Sequence, residues 1–309
     1  MTEVTIIITT RNRLKELKYT LERISYLLQR NDTSCIICDD ASEDDSFNFI
    51  KANYPEIKLI KNETLKGLIY SRNRMMNLVK TEYIISIDDD LNFISEYPTE
   101  KIFEYFKSND KCAVVSFRIF WSKLPPVSHG TEEKPCRMKS YAGGAHAFRM
   151  SAWKSIPNYP DWFVFYGEEN FASFQLFKKG WEIHYLPEIL VHHRVDLKGR
   201  KKNKDYKLRL RRSLRSGWYL YFLFFPHVMI PKRFLYTLWI QLKTKVFRGD
   251  IRALFAIIQA LGDVVVNLPR LFKYSNRLSV EEYSEYSKLP ETKLYWHPIN
   301  VNTFENKSL

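Results

Sequence analysis

Three adjacent carboxylates, Asp88, Asp89 and Asp90, directly follow an apolar run, Tyr83–Ile87, that is typical of a buried strand. Like charges at this spacing repel one another, so fold stability alone does not favour them. A divalent cation that also binds a phosphate would favour them, because Mg²⁺ and Mn²⁺ take oxygen ligands and Mg²⁺ usually keeps substrate phosphates in its shell. The alternative is a solvated acidic turn. The pattern therefore predicts a metal site for a phosphate-bearing ligand.

A second carboxylate pair, Glu168 and Glu169, follows an aromatic run and Gly167 at the expected start of a helix. Burial beside aromatic rings raises one pKa of such a pair, as a general base working near neutral pH requires. The alternative is an acidic first turn that the helix dipole stabilises. Further along, His192 and His193 follow a short strand. They are candidates for an imidazole metal ligand, with polar surface residues as the alternative.

Regularly alternating elements are expected to position these groups. The patterns predict strands at Val4–Thr9, Cys35–Cys38, Ile57–Ile60 and Tyr83–Ile87, with amphipathic helices between them. This order predicts an α/β fold with a Rossmann-like, mostly parallel sheet and helices on both faces. Ligands bind such sheets beyond the carboxyl ends of the strands. Thr9-Thr10-Arg11-Asn12, Asp39-Asp40 and the Asp triplet are expected to meet there.

The positive charge is concentrated in one segment. The 309 residues carry 48 Lys and Arg against 35 Asp and Glu, a net charge of +13, and residues 194–215 alone hold 11 Lys and Arg with 2 Asp. We expect a catalytic domain at residues 1–215 and a helical, aromatic-rich C-terminal region at 216–309, with helix breaks at Pro231 and Pro269. This composition indicates docking on an anionic membrane surface, or else burial against the catalytic domain or in a homodimer.

The C-terminal region is not expected to cross the membrane. Its uncharged stretch, Ser216–Pro231, has sixteen residues, fewer than the roughly 20 that a spanning helix needs. Four scattered cysteines do not make a disulfide framework, and the first residues lack the basic start of a signal peptide. These features predict a cytoplasmic protein that is peripheral on the inner face of the cell membrane.

Taken together, the motifs resemble one known family. The motif IIITTRNR ends the first strand, and DDASEDDS follows the second. GLIYSRNRMMN precedes the fourth strand, and YIISIDDD contains it. YAGGAHAF and GEENFASFQLFKKGWEIHYLPEILVHH come later in the chain. In this order and spacing they resemble the family 2 inverting glycosyltransferases of the GT-A fold over about residues 3–215. The resemblance implies a nucleotide-sugar donor, a glycan or lipid-linked acceptor, and Mn²⁺ or Mg²⁺ as cofactor.

The resemblance also implies a role for individual residues. The nucleotide-sugar would contact Thr9, Thr10, Arg11, Asp40, Arg72, Asp88, Asp89, Gly143 and Gly144. Asp90 would bind the metal together with one histidine of the His192–His193 pair. Glu169 would be the catalytic base in preference to Glu168. The chain departs from the family in having two glutamates where a Glu-Asp pair is usual, and Thr9-Thr10-Arg11-Asn12 where a Pro-Thr-Tyr-Asn-type stretch is common.

The sequence therefore indicates an inverting glycosyltransferase that adds one sugar to a glycan or lipid-linked acceptor in cell-surface polysaccharide synthesis. One alternative is a nucleotidyltransferase, which shares an acidic metal site but does not need the Gly-Glu-Glu helix start or the late histidines. The other is a non-catalytic nucleic-acid-binding protein that uses the basic 194–215 segment. The acidic clusters upstream would repel nucleic acid, so we do not expect it as a partner.

Overall fold

A single mixed sheet forms the centre of the molecule. The computed structural model describes residues 3–195 and 205–298, so residues 196–204 of the basic segment lie outside the described part. The strands are β1 (Val4–Thr10), β2 (Thr33–Asp39), β3 (Lys58–Lys61), β4 (Tyr83–Asp88), β5 (Leu91–Phe93), β6 (Cys112–Trp121), β7 (Cys136–Met138), β8 (Ala145–Arg149) and β9 (Glu182–His193).

The strands lie in the order β3-β2-β1-β4-β8-β6-β9-β5, and β7 pairs with β9. The four strands predicted from the sequence are parallel to one another. Beyond β4 the sheet is mixed, because β8 lies antiparallel between β4 and β6. In register, Ile87 pairs with Ala145, so the glycine loop that precedes β8 meets the acidic end of β4. This one insertion brings two distant motifs together.

The central strands are apolar because both faces of the sheet are covered, as expected for an α/β fold. Ile6 and Ile8 of β1 pack against α1 (Leu14–Arg23) and its neighbours, whereas Ile7 faces a second core on the other side. The remaining helices of the first part are α2 (Ser25–Leu28), α3 (Ser46–Asn53), α4 (Leu68–Met76), α5 (Pro98–Ser108), α6 (Met150–Lys154) and α7 (Glu168–Lys178).

The C-terminal region is helical, as expected, and packs on the catalytic part. It contains α8 (Tyr206–Phe224), α9 (Ile230–Thr244), α10 (Ile251–Lys273) and α11 (Val280–Lys288). The boundary predicted between residues 215 and 216 falls inside α8, whose Phe224 stacks on Phe174 of α7 at 4.9 Å between ring centroids. The aromatic side chains of α8 are therefore largely buried in the fold.

One helix of the described residues, α10, is long and apolar enough to cross a membrane by length and composition. Only 28% of its most apolar window is buried in the protein. The sequence placed a helix break at Pro269, and this prediction was wrong, because Pro269 lies within the last two turns of α10. It is exposed there, so the carbonyl oxygen that loses its helical partner is on the solvent side.

After α11 the chain returns to the sheet as an extended strap, residues 289–298. The Trp296 amide donates to the Ile119 carbonyl at 2.6 Å, and the guanidinium of Arg118 lies over the Trp296 ring at 4.5 Å. Lys139 and Lys293 form ion pairs with Glu291 and Glu133. The strap therefore reaches the same edge of the fold as the glycine loop.

Candidate active site

The acidic end of β4 and the end of β9 form a compact group of metal-ligand atoms. One ligand atom each from Asp88, Asp90 and His193 lies within 4.8 Å of the others. His193 Nε2 is 2.9 Å from Asp90 Oδ1 and 3.9 Å from Asp88 Oδ2. Burial raises the pKa of Asp90, but the hydrogen bond and charge of His193, together with Arg13, outweigh it and hold that pKa below its usual value.

These three residues fit a divalent cation by their chemistry. Two carboxylates and an imidazole are a donor set suited to Mn²⁺ or Mg²⁺ more than to a soft metal. His193 Nδ1 is buried and has no hydrogen-bond partner among the described residues, so its ring is not already fixed by a second acceptor. Asp88 is the member that faces the open cavity, with 30% of its side chain exposed.

The two histidines of the predicted pair have different surroundings, because successive strand residues point to opposite faces. His192 Nε2 donates to the Ser122 carbonyl at 2.8 Å, and its ring lies beside Phe120. The structure therefore brings His193 to the metal group and leaves His192 outside it.

Asp89 is turned away from the cavity into the protein. Its Oδ2 accepts from the Thr10 hydroxyl at 2.8 Å, and its Oδ1 is 2.9 Å from Arg13 Nε. Burial raises the pKa of Asp89 to about 7, and the charge of Arg13 opposes this shift. Thr10 and Asp89, both predicted to contact the nucleotide-sugar, join the ends of β1 and β4 through this hydrogen bond.

The base candidates lie across the cavity at the first turn of α7, joined by a buried arginine. Arg72 Nη1 is 3.1 Å from Glu168 Oε1 and 3.9 Å from Glu169 Oε1. Its Nη2 is 3.0 Å from Asp88 Oδ1 and donates to the Gly143 carbonyl at 2.8 Å. Arg72 was expected to bind the base or phosphates of the nucleotide. In the structure its guanidinium group forms ion pairs with Asp88 and Glu168.

The two glutamates differ in exposure and in pairing. Both glutamates line the cavity, but the Glu168 side chain is 2% exposed and paired closely with Arg72, whereas the Glu169 side chain is 21% exposed. Burial raises the pKa of both. For Glu169 burial and the neighbouring Glu168 charge outweigh Arg72 and raise the pKa to about 8. Glu169 is the carboxylate that can take a proton from a ligand near neutral pH.

The glycine loop allows this arrangement because its backbone lies against the functional side chains. A Cβ atom at position 143 would be 1.7 Å from Glu169 Oε1. A Cβ atom at position 144 would be 3.2 Å from Asp88 Oδ2 and 3.5 Å from the His193 ring. The loop was predicted to contact the sugar. The structure puts it between the base and the metal group, in the wall of the same cavity.

The remaining predicted nucleotide contacts lie at the ends of β1 and β2. Asp40 is buried, and its carboxylate accepts from Asn62 Nδ2 and from the amides of Lys66 and Gly67 at 2.8–2.9 Å. It thus fixes the loop that leads into α4. Thr9 is half-buried at the end of β1, and Arg11 is exposed on the following loop and forms no ion pair within the described part of the chain.

The cavity that contains these groups has a volume of about 640 Å³. Its floor is the glycine loop and the metal group, and two walls come from the C-terminal region. One wall is the α8 face of Arg209, Ser213, Ser216, Gly217 and Leu220, and the other is the strap at Glu291, Thr292 and Leu294. A second cavity of about 650 Å³ beside α1 contains neither a histidine nor the clustered carboxylates, and its Glu16 is paired with Arg194 at 3.0 Å.

Sequence reasoning missed Arg13, Asn62, the α8 wall and the strap. Arg13 stands two residues after Arg11 in the same motif, so the motif offered it as a candidate. Asn62 lies 22 positions from the carboxylate it donates to, and the strap comes from the far end of the chain. No local pattern indicates such contacts.

The chain is similar to known glycosyltransferases in sequence and in fold. The family model "Glycosyl transferase family 2" matches residues 5–165. A curated relative, the UDP-Glc:alpha-D-GlcNAc-diphosphoundecaprenol beta-1,3-glucosyltransferase WfaP of Escherichia coli, is 30% identical over 148 residues. The match takes in 44% of this chain and 57% of that protein, so the chain spans little more than half of the relative's length.

Three solved structures share the fold. The mannosyltransferase PcManGT from Pyrobaculum calidifontis, in complex with GDP-Man and Mn²⁺, has a TM-score of 0.54 at 14% identity, covering 92% of this chain and 78% of its own. GalNAc-T7 with UDP, GalNAc and Mn²⁺ has a TM-score of 0.53 at 16% identity, covering 71% of this chain and 50% of its own. S. aureus TarS has a TM-score of 0.54 at 16% identity, covering 88% of this chain and 50% of its own. These likenesses identify the fold as GT-A.

Proposed function

We propose that this chain, which belongs to glycosyl transferase family 2, transfers one sugar from a nucleotide-sugar to a lipid-linked acceptor and inverts the anomeric carbon. The chain is a glycosyltransferase, so neither the nucleotidyltransferase nor the non-catalytic alternative is retained. One observation carries the finer proposal. Glu169, the more exposed of the two glutamates and the one farther from Arg72, has a raised pKa and lines the same cavity as the Asp88 and His193 ligand atoms.

In this proposal Glu169 accepts the proton of the acceptor hydroxyl while that oxygen attacks the anomeric carbon. Attack opposite to the departing diphosphate inverts the anomeric centre in one displacement. Glu168 keeps Arg72 in place, and Arg72 in turn orients Asp88 and the Gly143 carbonyl. The raised pKa of Glu169 matches its task, because a base is most effective when its pKa is near the working pH.

Asp88, Asp90 and His193 would hold the divalent cation, which when bound neutralises charge on the donor diphosphate. The structural relatives that contain Mn²⁺ favour this metal, although the donor set also suits Mg²⁺. The curated relative names UDP-glucose and a diphosphoundecaprenol-linked sugar. We therefore propose a nucleotide-sugar donor and a sugar linked to a lipid through a diphosphate as acceptor, in the assembly of a cell-surface polysaccharide.

The test is a transfer assay with separated products. Purified protein is incubated with UDP- and GDP-sugars, Mn²⁺ and an N-acetylglucosaminyl diphosphate with a phenoxyundecyl tail. We expect a disaccharide-diphosphate product and free nucleoside diphosphate, with the anomeric configuration, read by NMR coupling constants, opposite to that of the donor. Glu169→Gln is the catalytic control. Retention of the donor's configuration, or release of pyrophosphate with transfer of the nucleotide, would contradict the proposal.

We propose further that the C-terminal helices dock the enzyme on the inner face of the cell membrane. Large apolar side chains run along the whole exposed face of α10 at helical spacing, and those of α9 continue them. The α10 members are Ile251, Phe255, Ile258, Val265, Val266 and Phe272, each between 54% and 78% exposed. Residues 226–278 contain nine Lys and Arg and two Asp. This apolar and cationic surface is complementary to an anionic lipid surface.

A surface orientation is favoured over a spanning one because α10 is tied to α8 near its middle. Asp263 of α10 forms ion pairs with Arg211 and Arg215 of α8 at 2.5 Å and 3.4 Å. A spanning α10 would have to break these pairs and carry Asp263 into the bilayer, which is costly. The four cysteines are free, in keeping with a reducing compartment.

Vesicle binding tests the docking surface. We expect binding to phosphatidylglycerol vesicles at low salt and weaker binding at high salt, because the basic residues act through screened charges. The double variant Phe255→Asp/Val266→Asp should lose it. Val127→Asp is a matched control, since Val127 is 91% exposed on a loop of the catalytic part. A salt-independent complex that resists alkaline extraction would show a spanning helix, and a dimer without lipid binding would assign the surface to a homodimer.

A further inference from the structure

Helix α8 carries two sets of arginines that face different surroundings. Arg211 and Arg215 point toward α10, where both form ion pairs with Asp263. Arg215 also donates from Nη2 to the Phe163 carbonyl at 2.6 Å. These arginines join the C-terminal helices to the catalytic part. Their charge is therefore accounted for by the fold.

The second set, Arg209 and Arg212, lies three positions apart, so the two side chains are neighbours on the helix surface. Arg209 lines the active-site cavity, and its Nε is paired with Asp205 at 2.5 Å. That pair leaves the two terminal nitrogens of Arg209 without a second carboxylate. Arg212 forms no ion pair with any residue in the ranges 3–195 and 205–298. Burial and the charges of the neighbouring arginines lower the pKa of Arg212.

This face of α8 adjoins the catalytic base. A Cβ atom at position 167, the residue before Glu168, would be 3.1 Å from Ser216 Cβ, and the Ser216 hydroxyl donates to the Phe165 carbonyl at 3.4 Å. The metal group, in contrast, lies at the ends of β4 and β9. Because the base must contact the hydroxyl of the acceptor, the wall beside the base faces the acceptor.

We propose that Arg209 and Arg212, with the Ser213 hydroxyl, form an anion subsite for the phosphate next to the acceptor sugar. Guanidinium groups suit this role because their planar N–H groups bind phosphate oxygens in pairs. The opposite side of α8 packs on α10, the helix that carries the exposed apolar face. The proposal rests on the lipid-linked acceptor of the proposed function and assigns residues to it.

The experiment compares two acceptors that differ only in charge. One is N-acetylglucosaminyl diphosphate with a phenoxyundecyl tail, and the other is the phenoxyundecyl glycoside without phosphates. For Arg209→Gln/Arg212→Gln we expect the KM of the phosphorylated acceptor to rise at least about tenfold, since charge-assisted hydrogen bonds are lost. The KM of the uncharged glycoside and kcat should not change. Lys80→Gln/Lys107→Gln removes the same charge from exposed positions that do not line the cavity, and should have no effect.

Each other outcome has a definite meaning. An equal rise of KM for both acceptors in the arginine double variant would overturn the subsite. Weaker binding of nucleoside diphosphate with Mn²⁺ by that variant would also overturn it, because the arginines would then belong to the donor site. Loss of phosphatidylglycerol vesicle binding with unchanged KM would assign them to lipid headgroups. If the unmodified enzyme uses neither acceptor, the proposed function fails instead. Calorimetry with inorganic pyrophosphate and EDTA then tests the subsite alone, and equal affinity of the enzyme and the double variant would overturn it.

Discussion

A methyl group at position 143 should disable the enzyme without unfolding it. Gly143 is outside the left-handed backbone region, so alanine is compatible with the main chain. The Cβ atom would stand 1.7 Å from Glu169 Oε1, 2.7 Å from its Cδ and 3.1 Å from its Cγ. All three contacts are with one flexible side chain. The fold can therefore accept the methyl group only by moving the base.

The required displacement sets the expected loss. Restoring an ordinary contact of 3.4 Å from 1.7 Å moves Oε1 by at least 1.7 Å. Misplacing a reacting group by about 1 Å can cost on the order of 10²-fold in rate. We therefore expect Gly143→Ala to reduce turnover by at least about 10²-fold, or ~2.7 kcal/mol in activation free energy. The free energy of unfolding should change by less than about 1 kcal/mol, because the side chain that moves is partly exposed.

The assay is single-turnover transfer at saturating donor, with nucleoside diphosphate affinity and thermal unfolding measured in parallel. Gly130→Ala is the matched control, since a Cβ atom there has nothing within 4 Å. A double-mutant cycle with Glu169→Asp isolates the collision, because the shorter carboxylate is withdrawn from the methyl group. Gly143→Ala should then cost much less in the Glu169→Asp background. Full activity of Gly143→Ala, or strict additivity in the cycle, would refute the reasoning.

Other perturbations address the base, the metal group and the strap. Glu169→Gln should keep nucleotide affinity and reduce transfer by at least about 10²-fold, the scale of general-base catalysis. Glu168→Gln should reduce turnover less but lower the Tm, because Arg72 loses its charged partner. Since the base must be ionised, transfer should rise with pH through the Glu169 pKa of about 8 and reach its plateau above that pH. An equally steep profile in Glu169→Gln would contradict this assignment. Asp90→Ala should abolish the Mn²⁺ dependence of nucleoside diphosphate binding in calorimetry, and equal affinity of the unmodified enzyme with EDTA and with Mn²⁺ would argue against a metal site. Trp296→Ala should lower stability by about 3 kcal/mol, the usual cost of such a truncation, and raise the acceptor KM by releasing the strap, which proteolysis of residues 289–298 can report.

The first half of the fold could be predicted because its information is local. The strands predicted at Val4–Thr9 and Tyr83–Ile87 are observed at Val4–Thr10 and Tyr83–Asp88, since continuous β-branched runs are typical of strands buried on both faces. The antiparallel insertion of β8 was not predicted. It depends on which strand meets β4 across the sheet, and a strand's own sequence does not encode its distant partner.

The residues of the candidate site likewise fall into those that local sequence patterns indicate and those that only the folded chain defines. Residue types at a strand end indicated Asp88 and Asp90, and those at a helix start indicated Glu169, because clustered carboxylates without a local cation are unusual. The buried role of Asp89 and the charge pairing of Arg72 follow from side-chain directions that only the folded chain defines. A strand's alternation separates His192 from His193 once the strand is known to continue through both residues, as β9 does.

The Glu-Glu pair in place of the family's usual Glu-Asp becomes intelligible from the contacts of each member. Adjacent residues on a helix point about 100° apart, so Arg72 can pair closely with only one of them, and it pairs with Glu168. Burial and the neighbouring Glu168 charge raise the pKa of Glu169, and the charge of Arg72, 3.9 Å away, opposes this shift without cancelling it. A longer side chain needs more room than aspartate, and Gly143 supplies that room because it has no Cβ atom. The glycine and the second glutamate therefore depend on one another, and the position of the Glu169 carboxylate is determined as much by the loop before β8 as by α7 itself.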